Sequence, residues 1–181
     1  MKTLFAFLLS TLLMACAAKP THILVDPAVS APRSSIGSGV EINLQVSGDP
    51  SLSALGEKQS RFPLKRSVSE AAKEKLTREL SSLGFSIAPY ATRQLNVSLI
   101  KAEHTITDGT LKDEISASVT MHFEAITEYG TLTRHFTDNR AQEVGGTATL
   151  GEASGVLNLS FGHVLGRALS DPELLQFLSK Q

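Results

Sequence analysis

The thiol of Cys16 is the strongest nucleophile in these 181 residues, and Cys16 is the only cysteine. A single thiol can neither close an internal disulfide nor share a zinc ion with a second cysteine, so it points to reaction in its own right. The other reactive side chains form no recognisable constellation. There is no G-x-S-x-G, H-E-x-x-H or glycine-rich phosphate loop, and Gly151-Glu152-Ala153-Ser154-Gly155 spaces its serine wrongly for a nucleophile elbow. Of five histidines, His22 sits in a strand-like stretch, His104 leads into a turn, and His163 shares a polar helix stripe with Glu152 and Arg167. His135 falls opposite Glu124 on the solvent side of a strand pair, with His122 nearby. A weak metal or proton site can be drawn there, but an ordinary surface pair is the expectation. No catalytic residue, metal or cofactor is expected, and hydrolysis is the least favoured activity.

What precedes Cys16 says which reaction its thiol undergoes. Lys2 and the amino terminus make a short positive region, and Leu4 to Ala15 is apolar apart from Ser10 and Thr11. Twelve such residues are too few to span a bilayer but suit a secretory leader. The run ends in Leu13-Met14-Ala15-Cys16, which resembles the bacterial lipobox, where diacylglycerol is attached to the cysteine thiol. Cleavage is expected between Ala15 and Cys16, leaving Cys16 to carry covalent diacylglycerol and an N-acyl chain. Ala17 and Ala18 follow in place of the aspartate that tends to retain such proteins in the inner membrane, so the outer membrane is the expected address. Residues 1–15 then form the signal peptide, 16–21 a lipidated tether around Pro20, and 22–181 one domain.

Without its leader the chain carries sixteen Lys and Arg against eighteen Asp and Glu, and no basic block interleaved with aromatics. Nucleic acid is thereby excluded as an expected partner, and no second apolar run of membrane-spanning length occurs.

The domain opens with a strand at 22–26, stopped by Pro27, and a loop rich in Ser, Pro and Gly from 30 to 39. Val40, Ile42, Leu44 and Val46 alternate with polar residues as a half-buried strand. Gly48-Asp49-Pro50-Ser51 turns the chain, and 51–66 reads as irregular. Ser67-Val68-Ser69-Glu70 has capping-box spacing, and Val68, Ala72, Leu76, Leu80 and Leu83 then form one helical stripe ending at Gly84-Phe85. A bridging strand at 85–88 precedes a meander of three strands, marked by Leu95, Val97 and Leu99, by Ile115 to Phe123, and by Leu132 and Phe136. A loop Thr107-Asp108-Gly109, with Gly109 left-handed, sets Val97 opposite Val119, and a Tyr129-Gly130 turn sets Phe123 opposite Phe136. Gly145-Gly146 ends the meander. A helix follows from Leu150 to Leu169, with Leu157, Phe161, Val164 and Ala168 as its apolar group, extended by Leu159, Leu165 and Leu169. Its glycine flank, Gly151, Gly155, Gly162 and Gly166, is expected to pack closely on the sheet. Asp171-Pro172-Glu173 opens a last short helix.

This order predicts an α+β fold, a two-layer sandwich with helices packed on one face of a mostly antiparallel sheet. The lipobox with Cys16-Ala17-Ala18-Lys19-Pro20, the capped helix Val68–Gly84, the Tyr129-Gly130 turn, Val144-Gly145-Gly146 and the tail Phe177-Leu178-Ser179-Lys180-Gln181 resemble the YajG family of bacterial lipoproteins. The resemblance covers nearly the whole chain and implies an envelope lipoprotein; it carries over no catalytic residue.

Helices on one face leave the other bare. Ser116, Ser118, Thr120, His122, His135 and Thr137, with Asn96, Ser98 and Asn139, are expected there and are the candidate partner-binding residues. The favoured function is a non-enzymatic accessory or scaffold lipoprotein that binds another envelope component, protein or glycan. The alternative is a binder of a small lipid or glycan ligand. A polar sheet face turned simply to water would look much the same.

If Cys16 carries the lipid, Cys16→Ser abolishes incorporation of labelled fatty acid and leaves the precursor uncut. Normal processing of that variant would refute the assignment.

Overall fold

The computed structural model describes residues 23–29, 32, 34–48 and 67–180. The expected leader, Ala15, Cys16, the tether and the stretch 49–66 lie outside the described residues. Among the described residues five strands and three helices follow in the order β1 (Glu41–Ser47), α1 (Val68–Ser82), β2 (Ser86–Ile87), β3 (Gln94–Thr107), β4 (Lys112–Thr127), β5 (Gly130–Gly145), α2 (Leu150–Ala168) and α3 (Pro172–Ser179). The sheet runs β2-β1-β3-β4-β5 and is open at both sides. β1 is parallel to β2 and β3, while the three long strands form an antiparallel meander.

Alternation explains the layering. Along β4 every odd residue from Ile115 to Ala125 is buried, and the even ones between them are only partly covered. The buried row continues through Leu95, Val97 and Leu99 of β3 and Ile42 and Leu44 of β1 into one core, completed by the apolar stripes of all three helices. The helices therefore share one face, and the fold is the α+β sandwich of two layers that the pattern predicts.

Local signals are realised at the helix ends. Ser67 Oγ accepts from Glu70 N at 3.4 Å. At the other end of α1, Phe85 N donates to Leu80 O and Gly84 N to Ser81 O, with Gly84 at φ +94°, the paired bonds of a Schellman cap. A full reciprocal capping box sits at α2, which the sequence reading passed over: Glu152 N donates to Thr149 Oγ1 at 3.2 Å and Thr149 N to Glu152 Oε2 at 2.8 Å.

Four expectations need correction. The strand expected at 22–26 does not extend past Ile23. Residues 24–29 run instead as a strap across the helices: Asn158 of α2 donates Nδ2–H to Leu24 O and accepts from Asp26 N, while Asp26 pairs with Lys75 of α1 at 2.7 Å. Ile23 and Val25 are buried, so their alternation is real, but a side-chain amide replaces part of a strand ladder. Gly162 packs against the Ala28 carbonyl, which leaves no room for a Cβ; it meets the strap rather than the sheet, and Gly151 and Gly155 have little or nothing against them. Leu159 is 55% exposed because it lies about 200° round the helix from Leu157.

The fourth correction is register. Val97 pairs with Phe123 and Val119 with Ala102, because β3 continues to Thr107 and carries a bulge between Leu99 and Lys101. The turn spans residues 108–111, and Gly109 has no positive φ; it is needed because the Lys112 carbonyl approaches where its Cβ would be. Across the next hairpin the loop is Glu128-Tyr129, so Phe136 pairs with Met121 and His135 with His122. Phe123 and Phe136 still touch diagonally, edge to face, at 5.5 Å. The slip is two residues between β4 and β5 and four between β4 and the first half of β3, both even, so those faces survive; beyond the bulge the offset is odd and the faces of β3 exchange.

Asp113, buried on the helix side of β4, ties the turn to the start of α2. Its carboxylate accepts from Ala148 N at 2.7 Å and Gly109 N at 3.1 Å, and these two bonds hold its pKa below the ordinary carboxylate value. A pKa depressed on folding stabilises above the unfolded value, about 3.9, and that stabilisation is lost as pH falls through the folded value. Asp113→Asn is therefore expected to melt lower than wild type at pH 7, with the gap closing below about pH 4; a gap constant across pH would refute this. Val119, fully buried in mid-strand, gives a harsher test. Val119→Asp buries an unpaired charge and should cost about 3–5 kcal/mol, which a chemical denaturation curve would measure; an unshifted midpoint would contradict its place in the core.

Candidate functional site

Among the described residues no helix covers the second sheet face, and the register sets its side chains in rows across the strands. Ser47, Ser98, His122 and His135 form one row, Lys101, Thr120 and Thr137 the next, then Glu103, Ser118 and Asn139, then Thr105, Ser116 and Ala141. All six candidate binding residues, Ser116, Ser118, Thr120, His122, His135 and Thr137, are thus brought together on adjacent strands. His135 faces His122 rather than Glu124, and the two rings stack at 4.5 Å and 15°. Glu124 instead accepts from Asn96 Nδ2 at 3.1 Å, and Thr120 and Thr137 share a hydroxyl hydrogen bond at 3.1 Å.

The bulge adds residues to the face that the sequence reading did not foresee. By inserting Ile100 it turns Lys101, Glu103 and Thr105 outward and Ala102 and His104 inward. Lys101 and Glu103 pair with each other at 3.0 Å, so the charge they bring is internally balanced. The signal was the apolar run Ala102, His104, Ile106 in even positions after Leu95, Val97, Leu99 in odd ones. His104 is therefore a core residue and no turn residue. It stands opposite Ala117, whose small side chain leaves space for the ring, and burial lowers its pKa and favours the neutral form. Between β3, β4 and β5 lies an open depression of about 400 Å³, bordered by Lys101, Glu103, Ser116, Ser118 and Asn139.

The arrangement suits hydrogen bonding better than bond making. Ser98 lies opposite His122, but its hydroxyl is engaged by Ser47 at 3.2 Å, and His122 Nε2 has no hydrogen-bond partner among the described residues. No hydroxyl on this face is thus joined to a base as a nucleophile would be. Among the described residues no three His, Cys, Asp or Glu side chains are grouped to hold a metal ion, and no helix is long and apolar enough to cross a membrane.

A second polar cluster, on the helix side, was not legible beforehand. Asp138 of β5 points inward opposite Val119 and is mostly covered. It accepts from His163 Nδ1 at 2.6 Å through one oxygen and from Arg140 Nε at 3.2 Å through the other. Ser160 Oγ donates to its backbone carbonyl and Arg167 Nη1 to that of Thr137. Burial pushes the Asp138 carboxyl up, but the bonds from His163 and Arg140, with the Ser160 hydroxyl beside them, outweigh it and hold the group below the usual range. His163 and Arg167 are therefore bound to β5 instead of lining a freely solvated stripe.

Comparison with known proteins bears on the fold and the family. A crystallised protein from Xanthomonas campestris, assigned to DUF330, is similar over 81% of this chain and 92% of its own, with a TM-score of 0.57 and 11% identity. A second crystallised protein, described only as uncharacterized, is similar over 83% of this chain and all of its own, with a TM-score of 0.51 and 14% identity. At such identities the likeness shows the fold alone. No curated protein sequence matches the chain. The family described as uncharacterized lipoprotein, Lipoprotein_16, matches residues 27–179, nearly the whole of the folded domain. The chain belongs to this YajG-type family of lipoproteins.

Proposed function

We propose that this lipoprotein is held at the periplasmic face of the outer membrane by acyl chains on Cys16 and works without catalysis, as an accessory or scaffold. Its bare sheet face docks another component of the envelope. The observation that carries this reading is the one-sided layering: the three helices and the strap all lie against the other face. Short hydroxyl and amide side chains lose little rotamer freedom on contact and can both donate and accept. Among them Lys101 pairs with Glu103, and Glu124 is hydrogen-bonded to Asn96. Such a face suits an uncharged, hydrogen-bonding partner, a flat protein surface or a glycan strand. The open depression beside Ser116 and Ser118 favours a second reading, capture of a small glycan in place of a protein.

Ser118→Lys and Thr120→Glu test the face, because both positions border solvent and should tolerate the change. Each is expected to leave the melting temperature within about 1–2 °C of wild type while reducing the partners cross-linked to the protein in intact cells. If both leave that set unchanged, the face is a solvated surface and no more.

A further inference from the structure

The geometry points to a phosphate-binding site on the outer flank of α2, where Arg140, His163 and Arg167 converge on one groove. This groove lies on the helix side of the sheet, and Arg140 at the β5 edge also borders the depression of the other face. It is open, holds about 460 Å³, and is bordered by those three side chains with Leu159, Gly162, Gly166, Ser170 and Ala28.

Each basic side chain is held by one contact that leaves other donors over. Arg140 uses Nε on Asp138, so its two terminal amino groups have no further partner among the described residues. Arg167 uses Nη1 on the Thr137 carbonyl, and its guanidinium lies 5.7 Å from the Phe136 ring centroid. His163 uses Nδ1 on Asp138, leaving Nε2. Asp138 has both oxygens engaged and its side chain is 11% exposed, so it positions the basic groups from beneath and does not cap the groove. Two guanidiniums against one carboxylate leave a formal charge of +1, rising to +2 when His163 is protonated.

Three donors from two elements, brought round one opening, match the several oxygens of a tetrahedral anion better than the two of a planar carboxylate. Leu159, exposed at the rim, offers apolar contact to whatever carries the phosphate. The shared chemistry is a phosphate group, free in the periplasm or on a lipid headgroup.

The test uses the mature protein, lipidated at Cys16, in phosphatidylcholine nanodiscs, titrated with inorganic phosphate and with glycerol phosphate while the ring resonances of His163 are followed. A saturable shift is expected, weakened about tenfold or more in Arg167→Gln. Leu159→Asp should weaken it as well; that side chain is already exposed, so the variant keeps its fold and places a negative charge on the rim. Nanodiscs doped with phosphatidylglycerol separate the two sources. If the lipid headgroup is the ligand, the ring resonances are displaced before phosphate is added; if soluble phosphate is, they are unmoved until the titration begins. The proposal is overturned if no saturable shift occurs with phosphate, its ester or the anionic lipid, or if Arg167→Gln and Leu159→Asp both bind as wild type does.

Discussion

The unbroken alternation of β4 is the constraint on which the rest of this structure depends. Paired on both sides along most of its length, β4 can present its apolar residues to one face only. β3 meets that demand with a defect. Its first half buries odd positions and its second half even ones, and the bulge at Ile100 is what allows both halves to face the same core. Without the extra residue Ala102 and His104 would point outward, and Lys101 and Glu103 into the core.

With one face committed to the core, coverage follows from length. α1 lies over β1 and β2, α2 over the long strands, and α3 near the β4-β5 hairpin, where Arg134 pairs with Asp171 and Glu173. The strap joins α1 to α2 by a lysine-aspartate pair and an asparagine amide, so the two helices share a crosslink that no loop between them supplies. β5, at the edge, mixes Phe136 and Val144 with Arg134, Asp138, Arg140 and Gln142 on its inner side. Inward charges on an edge strand discourage another strand from adding to it. They also require partners, and His163 of α2 and Arg140 provide them for the Asp138 carboxylate, while Ser160 ties its backbone carbonyl to the helix.

The same division gives the molecule two chemically different surfaces. One is broad and mostly short-chained, the side of the sheet that none of the described helices covers. The other is narrow and basic, and exists because an edge strand carries charges under a helix. If the proposed anchor holds the chain at a membrane, either surface would meet a partner in two dimensions and not by free diffusion, which raises the effective concentration of any ligand in the same layer.

Much of this was determined by the sequence alone, because the responsible interactions are local. The Gly84-Phe85 cap, the Asp171-Pro172 start of α3 and the buried face of β4 rest on spacings within a few residues. The candidate face was legible for the same reason, since period-two alternation assigns Ser116, Ser118, Thr120 and His122 to one side whatever they pair with. Tertiary structure alone decided the pairing. A shift of two residues between β4 and β5, and of four between β4 and the first half of β3, leaves the faces of those segments unchanged, so alternation cannot choose between them, and the His122–His135 stack depended on that choice. The strap, the inward His104 and the Asp138 cluster likewise rest on partners brought together only by folding, 25 residues apart for His163 and Asp138 and 132 for Asp26 and Asn158. A local pattern carries no information about contacts at that separation, because their energy appears only once the sheet has closed the distance.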